Sequence, residues 1–122
     1  MILVVDDNPV QALTRKAILA GAGLQVITAD SAEAAFAALD NDKKHDISLV
    51  ITDHIMPGES GCHFVKRLWE RRTGLPVMVL SGLAEAAEDY VGLEITFRSK
   101  PIQPSELIAL ATHMSARHAL GA

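Results

Sequence analysis

The chain has one cysteine, Cys62, no apolar run long enough to span a membrane, and no excess of basic charge. A lone cysteine excludes an internal disulfide framework and suits a reducing cytoplasm. Its apolar runs, such as MILVV and ISLVIT, fall well short of the ~20 residues a membrane helix needs. The N-terminus lacks the basic-then-apolar pattern of an export signal. A formal net charge of −4 argues against a general nucleic-acid surface. No repeat, low-complexity tract or composition break marks a second domain. Residues 1–122 therefore read as one cytoplasmic domain, long enough to bury a core.

Apolar runs alternate with helical patterns along the chain, which is the signature of a parallel sheet covered on both faces. Strands are expected at Ile2–Val5, Gln25–Ala29, Ile47–Thr52, Pro76–Leu80 and Ile95–Phe97. Pro9 suits a first helical position, and Val10, Leu13, Ala17 and Ile18 then recur at helical spacing. Ser31 can cap an Ala-rich second helix. A third runs from Gly61 to about Arg72, and Pro104-Ser105 opens the last. Between Glu85 and Val91 there is room for a short helix only. Asp40–Asp46 and Asp53–Ser60 read as loops. The expected fold is α/β, a doubly wound, flavodoxin-like five-stranded parallel sheet of order 2-1-3-4-5, with a shortened fourth helix.

In that order four of the five strands deliver a polar residue to one carboxyl edge, where such sheets bind ligands. Asp6 and Asp7 follow the first strand, Asp53 the third, Ser81 the fourth and Lys100 the fifth. Two carboxylates ~4 Å apart repel by roughly 4 kcal/mol at an effective dielectric near 20. Three together must take up protons or bind a cation. An all-oxygen, carboxylate-rich set favours Mg²⁺. Asp53, alone at its strand end, is the candidate nucleophile toward phosphorus, and attack by a carboxylate yields an acyl phosphate. Ser81 can donate to one phosphoryl oxygen and Lys100 can pair with another. No Ser-His-Asp pattern or oxyanion hole for acyl transfer is evident.

ILVVDDNP, DHIMPGESG, Ser81-Gly82 and Lys100-Pro101 stand in register along the chain. Together they resemble the receiver domain of two-component response regulators, and the resemblance covers essentially the whole sequence. It implies that Asp53 accepts a phosphoryl group from a histidine kinase or histidine phosphotransfer protein. It implies Mg²⁺ held by Asp7, by Asp6 through water, by Asp53 and by the backbone carbonyl of Ile55. Ser81 and Phe97 would form the switch, and the Lys100-Pro101 bond would be cis. The expected product is a signalling phosphoacceptor rather than an enzyme, binding neither nucleic acid nor membrane. The family's output face is usually its fourth helix, fifth strand and fifth helix. The stretch from Ser81 to Lys100 is shorter than in most receivers, and this departure bears on the phosphorylation-dependent dimer that the resemblance implies.

Other features receive plainer readings. Cys62 beside His54 and His63 suggests a metal or redox site, but a free cysteine more often acts as a small apolar residue. Lys66, Arg67, Arg71 and Arg72 read as a solvated basic face, and His45, His113 and His118 as solvated. Ile55 and Leu83, two residues after Asp53 and Ser81, are apolar and cannot orient an attacking water, so a phosphoryl group should persist for many minutes. A haloacid dehalogenase-type enzyme would carry D-x-D at the first strand end, where Asp6-Asp7 stand instead, and a flavin domain would carry a Ser/Thr/Gly-rich loop where Asp6-Asp7-Asn8-Pro9 stands.

Overall fold

The computed structural model describes residues 1–56 and 59–121, apart from the side chains of 55, 56, 59, 84–86 and 117–121. Pro57 and Gly58 of the DHIMPGESG motif, and the side chains of Ile55 and His118, lie outside the described residues. Five strands form the main sheet: β1 (Ile2–Val5), β2 (Val26–Ala29), β3 (Leu49–Asp53), β6 (Val77–Ser81) and β7 (Thr96–Ser99). They run parallel in the order β2-β1-β3-β6-β7. Counted within that sheet alone, this is the expected 2-1-3-4-5.

The period of two along each strand divides the core into two layers. Leu3, Val5, Val50, Val77 and Val79 face one side, where they meet Phe36 and Leu39 of α2 (Ala32–Asn41) and Phe64, Val65 and Leu68 of α3 (Gly61–Arg71). Ile2, Val4, Leu49, Ile51, Met78 and Leu80 face the other, against Leu19 of α1 (Pro9–Gly21) and Leu107 and Ala111 of α4 (Pro104–Gly121). Each of these fully buried aliphatic side chains contributes about 1.5–3 kcal/mol of transfer free energy. Because both faces are covered, the central strands β1, β3 and β6 read as near-continuous apolar runs.

Caps set where the helices begin. The Asn8 side chain accepts from the amides of Val10 and Gln11 at the start of α1, with Pro9 as the first helical residue. Ser31 and Ser60 do the same for α2 and α3 through Ala34 and His63. Gly61 is required for a different reason. A Cβ there would clash with the Tyr90 hydroxyl and lie 3.0 Å from the His54 carbonyl oxygen.

Two expectations need correction. The segment Asp53–Ser60 is more than a loop: β4 (Ile55–Met56) and β5 (Glu59–Ser60) pair antiparallel. The shortened fourth helix, by contrast, is borne out: it is a seven-residue 3₁₀ segment, Ala84–Tyr90, with no side-chain cap at Leu83. The tighter 3₁₀ winding suits short connections of this kind. On α1, Val10 and Leu13 point outward, 72% and 63% exposed, while Ala12, Arg15 and Leu19 are buried. The helix is turned so that Arg15 reaches a buried carboxylate beneath it.

The basic cluster is likewise more than a solvated face. Arg67 and Arg71 lie over the Phe36 ring, 4.3 and 4.2 Å from its centroid, so each guanidinium meets a ring quadrupole. Arg72 has an 8% exposed side chain and donates to the carbonyls of Leu39 and Asp42 and to the Asp42 carboxylate. It closes the end of α3 onto the end of α2.

Candidate functional site

The residues expected at the carboxyl edge meet there. Asp6 directly follows β1, Asp53 is the last residue of β3, Ser81 the last of β6, and Lys100 follows β7. Ligand oxygens of Asp6, Asp7 and Asp53 all lie within 4.8 Å of one another, with Asp6 buried, Asp53 half-buried and Asp7 exposed. This hard, all-oxygen donor set, open on one side, fits Mg²⁺, which takes few protein ligands and keeps several waters. The Ile55 backbone, two residues past Asp53, lies in β4 opposite Ser60.

Lys100 Nζ stands 3.1 Å from Asp53 Oδ1. The Lys100-Pro101 peptide bond is cis. Ser81 is buried; its carbonyl accepts from the Lys100 amide at 2.7 Å, and its hydroxyl accepts from the Leu83 amide at 3.0 Å. The ends of β6 and β7 are therefore tied together directly beneath the two side chains.

Two residues of α1 complete the site, and sequence reasoning missed both. Arg15 donates from Nη1 to Asp6 Oδ2 at 2.6 Å, with side chains 9% and 0% exposed. Gln11 Oε1 accepts from Arg15 Nη2 at 3.3 Å and from Lys100 Nζ at 3.0 Å. One amide oxygen thus bridges two cations, each of which faces a different carboxylate. The signal in the sequence was slight: Gln11 and Arg15 are spaced i, i+4 just after the acidic pair, which puts them on one helix face.

On the other side of Asp53, His54 Nδ1 and the Tyr90 hydroxyl are 2.6 Å apart, and His54 Nε2 lies 3.6 Å from Asp89 Oδ2. Burial, with the nearby Cys62, Asp89 and Asp53 adding to it, pushes the Tyr90 phenol above its ordinary 10.0. The neutral hydroxyl can therefore donate to Nδ1, which leaves Nε2–H toward Asp89. Tyr90 also packs on Phe97, with ring centroids 5.8 Å apart, and Phe97 is half-buried. Cys62 is partly buried against the core. Among the described residues the one metal-type cluster is the Asp6–Asp7–Asp53 group, so His54 belongs to Tyr90 and Asp89 rather than to a cysteine site.

The chain matches the response regulator receiver domain family over residues 2–112. The two-component response regulator ARR21 of Arabidopsis thaliana is 31% identical over 87% of the chain, and the chain spans 17% of its length. The sensor protein EvgS of Escherichia coli K12 is 32% identical over 96% of the chain, which spans 10% of that protein. Among solved structures, a response regulator receiver protein from Pseudomonas putida superposes with a TM-score of 0.83 at 33% identity, covering 92% of this chain and 94% of that one. No helix among the described residues is long and apolar enough to cross a membrane. By sequence match and by fold, this chain belongs to the response regulator receiver domain family.

Proposed function

We propose that this receiver takes a phosphoryl group onto Asp53 and changes a binding surface in response. The observation that carries the reading is the pairing of Asp53 with Lys100 at 3.1 Å, beside two further carboxylates at the same sheet edge. Asp53 Oδ attacks phosphorus of a phosphohistidine; the P–N bond breaks, and its electron pair leaves with the imidazole, which takes up a proton. The donor is a histidine kinase or a histidine phosphotransfer protein. Asp7, Asp53 and Asp6 would hold a Mg²⁺ ion, which would supply charge neutralisation for the phosphoryl oxygens.

The chain's own residues do the rest. Lys100 stabilises the anion on Asp53 and pairs with an oxygen of the incoming group. The Ser81 hydroxyl rotates from the Leu83 amide toward the phosphoryl group, and β7 and Phe97 follow through the Lys100–Ser81 backbone bond. Both arrangements must be populated for such a shift to work as a switch. The chain is a phosphoacceptor that handles its own phosphoryl group, rather than an enzyme turning over a separate substrate. Borohydride trapping tests the attachment point. Reduction of an aspartyl phosphate converts residue 53 to homoserine in the peptide mass map, whereas label on another residue would rule the assignment out.

A further inference from the structure

The electrostatic demand of three clustered carboxylates is already largely met without a metal. Lys100 faces Asp53, and Arg15 faces Asp6 from a buried position on α1. Both Asp6 oxygens are engaged: Oδ2 accepts from Arg15 at 2.6 Å, and Oδ1 accepts from the Asn8 amide at 2.8 Å. Gln11 braces Arg15 from the side by accepting from its other terminal nitrogen. Among the described residues, Asp7 is the member of the trio with no cation against it.

We propose that Arg15 is a resident counterion that spends the charge of Asp6 within the protein and so weakens Mg²⁺ binding at this site. The inference rests on the metal reading above and adds a specific determinant to it. A divalent ion entering beside Asp7 and Asp53 meets an Asp6 whose charge is already paired at contact distance. It also meets the repulsion of a guanidinium that water barely screens, because Arg15 and Asp6 are both buried. Arg15 is suited to the role because a guanidinium keeps its charge under all physiological conditions and holds a fixed geometry against a carboxylate. Metal occupancy of this receiver should therefore respond to Mg²⁺ concentration over a higher range than in the same site lacking the arginine.

The test is Mg²⁺ titration by calorimetry at constant ionic strength, on the parent, Arg15→Met and Asp7→Asn. Arg15→Met removes the charge while filling similar volume, and it should bind Mg²⁺ roughly tenfold more tightly, the order expected when one unit charge leaves the edge of a partly buried cation site. A Kd equal to or weaker than that of the parent overturns the proposal while leaving the metal reading intact. Uptake by neither the parent nor Arg15→Met, or undiminished uptake by Asp7→Asn, overturns the metal reading and the proposal with it. If Arg15→Met does not fold, the Arg15 guanidinium NMR signals of the parent decide. They should shift and exchange faster with water as Mg²⁺ saturates the site and draws on Asp6, and signals that stay fixed through saturation refute the competition.

Discussion

Gln11 and Lys100 are 89 positions apart in sequence, yet Lys100 Nζ donates to Gln11 Oε1 at 3.0 Å while standing 3.1 Å from Asp53. The lysine is a flexible point charge, and two fixed acceptors give it a single place to stand. Gln11→Ala should leave Asp53 intact but loosen Lys100, slowing phosphorylation by acetyl phosphate on the order of three- to tenfold, as expected when a charged group is left to sample several positions. Lys100→Ala should slow it further. An unchanged rate in Gln11→Ala would mean that Asp53 alone holds the ammonium.

Gly61→Ala places a methyl where the Tyr90 hydroxyl now sits. The variant should lose about 1–3 kcal/mol of stability through overpacking and forfeit the His54–Tyr90 hydrogen bond. Adding Tyr90→Phe removes the clashing oxygen and should recover part of that loss. The test is a double-mutant cycle by urea denaturation, and simple additivity of the two changes would contradict the packing account.

Asp42 is largely buried at the end of α2, and burial by itself would raise its pKa. The amides of Ile47 and Asp46 and the Arg72 guanidinium prevail and hold it below the ordinary 3.8. Since folding lowers this pKa, the associated stability is fully present above about 3.8 and fades as pH falls through the lower folded value. Asp42→Asn should cost about 1.5–3 kcal/mol near neutrality, the range for hydrogen bonds to charged groups. The gap between parent and variant should narrow as pH falls from 5 through the ordinary 3.8 and on through the lower folded value. Urea midpoints across that range report it, and a pH-independent gap would show that the carboxylate charge is not what Arg72 requires.

Leu83 is 45% exposed two residues past Ser81, and its amide already donates to the Ser81 hydroxyl. Being apolar, its side chain offers no atom to align a water for attack on an acyl phosphate. Leu83→Glu should shorten the lifetime of the phosphorylated protein, followed by loss of acid-labile phosphate over time. Equal decay in both proteins would assign the lifetime to another feature.

The sheet and its carboxyl edge could be read from the residues because strands buried on both faces leave continuous apolar runs. A polar residue that ends such a run is conspicuous. Asp53, Ser81 and Lys100 were found in this way, and the loop predicted from Asp53 hid a short antiparallel strand pair. The lower layer of the site was hidden by chemistry. An arginine on an exposed-looking helix reads as solvated, and nothing local in LTRKA announces a carboxylate nine residues earlier. That partner also explains why the apolar spacing of Val10 and Leu13 misled: the face of α1 was chosen by Arg15, and two apolar residues were left outside. The contact that Arg67 and Arg71 make with Phe36 was hidden for the same reason, since that ring belongs to a different helix.

The most direct test of the central claim is intact mass after incubation with acetyl phosphate and Mg²⁺, for the parent and for Asp53→Asn. The account predicts one added phosphoryl group in the parent, none in the variant, and none in either once the metal is chelated. An unmodified parent, or equal addition to Asp53→Asn, would contradict it.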